Sequence, residues 1–123
     1  MISGTNYNDR FFAPVANTEN GEVDSSTLFH YRQEGDIVWA TYGGGDVLFG
    51  TLVATVDQSG CLDMRYSHVN RNNQLMTGEC RSVPEVLPDG RLRLHEKWQW
   101  TSGDGSHGES IVEEVKSGGS QGK

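Results

Sequence analysis

Cysteine, proline and basic side chains are scarce in this chain of 123 residues. Two cysteines are too few to staple a disulfide scaffold. Three prolines against sixteen glycines exclude a proline-rich spacer and leave the turns to glycine. Ten Lys and Arg stand against 17 Asp and Glu, a formal charge of −7, so no basic stripe exists to follow a nucleic-acid backbone. No apolar run approaches the roughly 18 residues of a membrane helix, and MISGTNYNDR is too polar for a signal peptide. Apolar residues never recur at helical spacing over a long stretch. The expectation is one soluble, cytoplasmic domain without nucleic-acid or membrane partners.

What the chain has in quantity is turns. Glu34-Gly35-Asp36, Gly43-Gly44-Gly45-Asp46, Asp57-Gln58-Ser59-Gly60, Asn70-Arg71-Asn72-Asn73, Pro88-Asp89-Gly90 and Ser102-Gly103-Asp104-Gly105 punctuate it at nearly regular intervals. The runs between them are rich in β-branched and aromatic residues with period-2 alternation, which predicts successive antiparallel hairpins. Strands are expected at about 27–33, 36–43, 46–57, 60–69, 74–83, 91–101 and 108–115, with a weaker one around Phe11-Phe12. Such a meander favours an all-β, antiparallel up-and-down barrel of about eight strands, because closure removes exposed edges. A β-sandwich is the rival. The barrel should span residues 10–115, with the first ten frayed and 116–123, KSGGSQGK, a flexible tail.

Alternation then sorts the faces. In 91–100, Arg91, Arg93, His95, Lys97 and Gln99 share one side, and Leu92, Leu94, Glu96, Trp98 and Trp100 share the other. The second side is the interior. The same logic turns Phe29, Tyr31, Leu62, Met64, Tyr66, His68, Met76, Gly78, Cys80 and Ser82 inward. Residues 46–57 are apolar on both faces; Leu48, Gly50, Leu52, Ala54 and Val56 are the roomier inward choice. Small residues at 50, 54, 78, 80 and 82 leave room for one small ligand, unless the large aromatics simply fill it.

Glu96 is the most informative position. A carboxylate among leucines and tryptophans must be protonated, hydrogen-bonded or matched to a cation. Three roles stay open: a structural network with Tyr31, Tyr42, Tyr66 or Ser82, an anchor for a ligand's donor or cationic group, or a general acid/base of raised pKa. His68 is either its proton partner or a rim histidine open to water. Cys80 is a small buried apolar residue or, alternatively, a nucleophilic thiol. A three-residue loop at 71–73 pairs positions summing to 144, so Cys80 faces Met64, Cys61 faces Val83, and no disulfide is expected. Of Glu113 and Glu114, one must point inward and the other can pair with the outward arginines.

Other motifs carry no chemistry. Gly103, Gly105 and Gly108 match a dinucleotide fingerprint, but a strand follows where a helix must open. Gly43-Gly44-Gly45 has no lysine for a phosphate loop, and no nucleophile elbow occurs. The four histidines lack metal-ligand spacing, so neither a metal nor another cofactor is expected.

LDMRYSHVN at 62–70, LMTGECRS at 75–82 and RLRLHEKWQWTSGDGSHGESIVEE at 91–114 resemble a family of small bacterial proteins of about this length. The likeness runs from about Asn17 to Val115. Many members carry the label "N-acetylglutamate synthase", but acyl transfer from acetyl-CoA in that enzyme class uses an α/β fold with a phosphate-binding loop opening a helix. This chain has neither. In shape it is similar to calycin-like barrels of the lipocalin, fatty-acid-binding and avidin types. That resemblance implies a small apolar or aromatic ligand inside the barrel. Tyr31, Tyr42, Met64, Tyr66, Trp98 and Trp100 would surround it, and Glu96 would anchor it. Two other readings stay open: a cofactor-free isomerase, cyclase or lyase using Glu96, and a structural module or homodimer joined through an outer face carrying Trp39 and Phe49.

Overall fold

The computed structural model describes residues 5–115. Eight strands follow one another: β1 (Arg10–Asn17), β2 (Leu28–Glu34), β3 (Ile37–Gly44), β4 (Val47–Val56), β5 (Leu62–Asn70), β6 (Leu75–Val86), β7 (Leu92–Trp100) and β8 (His107–Glu114). Each is antiparallel to its sequence neighbour, and β1 pairs with β8, so the sheet closes into a barrel. The up-and-down meander expected from the turn rhythm is the fold, and no helix occurs among the described residues.

Asx side chains shape the tight turns. Asp57 Oδ1 accepts from the amides of Ser59 and Cys61, and Gly60 completes the turn at φ 84°, where a Cβ would be strained. These bonds hold the Asp57 carboxyl below its usual pKa. Asn70 Oδ1 does the same for Asn72 and Gln74 in the next hairpin.

The alternation on β7 is as expected: Leu92, Leu94, Trp98 and Trp100 are buried, while His95, Lys97 and Gln99 are exposed. Met64 faces Cys80, as the loop arithmetic requires, and both cysteines are free. Glu113 points outward to Arg93 at 2.7 Å, and Glu114 turns in to take Arg10 at 2.6 Å.

Two expectations need correction. Leu48 does not face inward. The β4–β5 ladder slips between Val47 and Phe49, so Val47 is buried while Leu48 and Phe49 both lie outside, 55% and 59% exposed. A bulge puts two successive residues on one side, and alternation counted through it gives the wrong face. The residues before β1 are also not all frayed. Tyr7 is completely buried, its ring 6.1 Å from that of Tyr31, and its hydroxyl donates to the Gly60 carbonyl at 2.5 Å. Tyr7 plugs the barrel end where β4 turns into β5. The flexible tail expected at 116–123 lies outside the described residues.

Inward glycines do not leave empty space. Gly50 pairs with Tyr42, Gly78 with Tyr66, and Gly108 with Trp98, each directly across a ladder. In every pair the aromatic ring lies over its glycine, so a Cβ built there would collide with the ring. The glycines seat the rings against the backbone instead of widening the hollow.

Candidate functional site

The barrel interior has two halves. At the Tyr7 end, Phe12, Val38, Leu62, Leu94 and Val112 are fully buried and form an apolar floor. Toward the other end the interior becomes polar and aromatic. A cavity of about 60 Å³ lies there, lined by Phe29, Tyr31, Tyr42, Met64, Tyr66, His68, Glu96, Trp98 and Trp100 among others. All seven residues singled out from the sequence, Tyr31, Tyr42, Met64, Tyr66, Glu96, Trp98 and Trp100, border this one space.

Glu96 owes its setting to register. Ser82 on β6 and Ser110 on β8 stand directly opposite it on the two flanking strands. Ser82 Oγ donates to Oε2 at 2.9 Å and Ser110 Oγ to Oε1 at 3.1 Å. Both serines are buried, whereas part of Glu96 borders the cavity. Burial pushes the Glu96 pKa upward, and the two serine hydroxyls oppose that by favouring the carboxylate. Of the expected partners, Ser82 is in place, and the three tyrosines make no hydrogen bond to it. Ser110 is an additional partner.

The folded protein therefore holds the Glu96 proton to higher pH than the unfolded chain does. The resulting penalty is absent below the unfolded value, about 4.3, grows between that value and the folded one, and is constant above it. Glu96→Gln should consequently gain stability relative to the parent as pH rises from about 4 to about 8, measured as a widening Tm difference. A difference that stays flat with pH would show that Glu96 is not desolvated.

His68 is neither a rim residue nor the partner of Glu96. It is 3% exposed, with Nε2 2.8 Å from Glu22 Oε1 and Nδ1 2.9 Å from Tyr42 Oη. A carboxylate can only accept, so Nε2 carries the proton and Nδ1 accepts from the Tyr42 hydroxyl. Glu22 Oε2 also accepts from Asn70 Nδ2 at 3.1 Å.

Glu22 belongs to the loop 18–27, which folds across the mouth. Trp100 Nε1 donates to the Asn20 carbonyl at 3.1 Å, and Asn17 Nδ2 donates to the Val23 carbonyl at 3.0 Å. Gly21, Glu22 and Val23 of this loop line the cavity from above. The loop is a cover held by polar bonds to β5 and β7. Asn17, also in the wall, leaves its Oδ1 buried without a partner.

Sequence reasoning missed Glu22, Asn17 and Ser110. Ser110 was within reach: the β7–β8 ladder pairs positions summing to 206, the same arithmetic that pairs Cys80 with Met64. Glu22 and Asn20 lie in a loop with no periodicity to read. Of the two readings of Cys80, the small buried apolar residue is the one that fits. Burial, then the charge of Glu96, pushes its thiol pKa well up, so it stays protonated near neutrality.

The avidin-like protein family model matches residues 5–115, the whole described barrel. The chain belongs to the avidin-like family. That family is a calycin-type barrel, in keeping with the closed antiparallel sheet. The N-acetylglutamate synthase label borne by look-alike sequences finds no support. No curated protein matches the chain, and no solved structure does.

In this avidin-like barrel the aromatic walls stand at steep angles to one another. Trp100 lies 5.7 Å from Trp98 and from His68 and 5.8 Å from Tyr66, with interplanar angles of 62–77°. Such tilted pairs are favoured by the ring quadrupoles.

Proposed function

We propose that this avidin-like protein is a cytoplasmic binder of a small, mostly apolar or aromatic molecule held in the upper half of its barrel. Trp98, Trp100, Tyr31, Tyr66, Tyr42 and Met64 form the walls and Glu96 is the polar anchor. The observation that carries this reading is a barrel cavity with mostly aromatic and apolar walls and a few convergent polar groups, Glu96 among them, the usual composition of a small-molecule site. The avidin-like family binds small molecules such as biotin, which adds to the case.

Size bounds the ligand. An apolar cavity of about 150 Å³ holds benzene, and this one measures about 60 Å³. A few heavy atoms fit with the rings as they stand, and anything larger requires the 18–27 cover to lift. A thermal-shift screen over a metabolite panel, followed by fluorescence titration of the Trp39→Phe variant, tests the proposal. A ligand that raises Tm and perturbs the two interior tryptophans supports it. Ligands that act on wild type and never on Trp39→Phe would place binding outside the barrel and end it.

A second reading is acid/base catalysis by Glu96, favoured by its raised pKa. It requires a turnover that Glu96→Gln abolishes. A third concerns the outside of β3 and β4, where Ile37, Trp39, Phe49 and Val53 are 38–59% exposed on one side of the barrel. This patch suits a homodimer. Sedimentation velocity should then show a dimer at micromolar concentration that Trp39→Arg dissociates at least tenfold more readily; a monomer at every concentration removes the reading.

A further inference from the structure

Glu96 faces the cavity with no cationic partner among the described lining residues. Glu96 accepts a hydrogen bond on each carboxylate oxygen, from Ser82 and from Ser110, an arrangement that matches the ionised carboxylate. No Lys or Arg lines the cavity among the described residues, and the other carboxylate in its wall, Glu22, already accepts hydrogen bonds from His68 and Asn70. A buried carboxylate without a counter-charge is costly, and a bound cation offsets part of that cost by direct attraction. The surroundings point the same way. Asn17 Oδ1, buried in the wall without a partner, is likewise an acceptor lacking a donor. Tilted tryptophan and tyrosine rings supply π-faces, which attract cations and repel anions.

We infer that the ligand of this interior site is a small organic cation, an alkyl or aryl amine whose ammonium group is held by Glu96 while its apolar part lies against Tyr66, Trp98 and Trp100. The inference rests on the reading of the interior as a ligand site and adds the ligand's charge to it. Every unmet demand in the cavity is for a donor or a positive charge. The ligand class follows from that.

Calorimetric titration of the full chain with three probes of one size is the test: propylammonium, 1-propanol and propionate, at about pH 8. Propylammonium should bind at least tenfold more tightly than 1-propanol, with propionate the weakest. Glu96→Gln should lose that preference, binding propylammonium and 1-propanol within about threefold of each other. If 1-propanol or propionate equals propylammonium, the cation assignment falls and the interior site stands. If none of the three binds, both fall together. Should the variant fail to fold, the wild-type ranking of the three probes is sufficient to decide.

Discussion

Tyr7→Ala is expected to cost about 3–5 kcal/mol of folding stability, the range for removing a buried aromatic. Urea denaturation should show it as a lower midpoint with an unchanged slope. The ring is fully buried at the barrel end, packed beside Tyr31, and its hydroxyl satisfies the Gly60 carbonyl. Truncation leaves a hole that the closed sheet cannot collapse around, since its eight strands are fixed in register by one another. Tyr7→Phe separates the two contributions. It keeps the ring and leaves the carbonyl without its donor, for about 1–3 kcal/mol. A loss under about 1 kcal/mol for Tyr7→Ala would show that the segment ahead of β1 does not plug the barrel.

Gly78→Ala is expected to destabilise by about 1–3 kcal/mol, although it adds one methyl group. The new Cβ would lie 2.7 Å from Tyr66 Cε2 and closer still to its Cζ and hydroxyl, so the ring must leave its seat. Tyr66 borders the cavity, so a displaced ring can move into it. The decisive experiment is the pair with Tyr66→Ala. Each single change should destabilise, Gly78→Ala by collision and Tyr66→Ala by emptying the wall, and the double variant should be less damaged than their sum. Additive losses would mean that ring and glycine do not share the same space.

The barrel was legible because its information is local. Turn residues at short, even spacing and alternation within each run settle strand order and facing wherever one face is polar, as on β7 and β5. Val47, Leu48 and Phe49 defeated the same reasoning: all are apolar, so nothing in the sequence marks the bulge that turns two of them outward. Tyr7 is one aromatic in a polar stretch and carries no period. The glycines misled for a different reason. Gly50 and Gly78 are small, but smallness in a strand invites the facing residue to fill the gap, and Tyr42 and Tyr66 do so.

The site divides along the same line. Glu96 and Ser82 could be placed because strand register is additive, and Ser110 needed one more sum of the same kind. His68 was placed on the correct face, but its partner was not foreseeable. Glu22 reaches it from a loop whose path is set by Asn17 at the end of β1 and by two side chains on distant strands, His68 and Trp100. Loop closure over a barrel mouth leaves no periodic trace.

The central claim is that Trp98 and Trp100 enclose a site that a small molecule enters, and the indole Nε1 resonances of ¹⁵N-labelled protein report on it directly. During titration with propylammonium the signals of Trp98 and Trp100 should move together along one saturating curve, while that of Trp39, on the outer face, stays in place. Movement of Trp39 alone, or of no indole at tens of millimolar, would contradict the account.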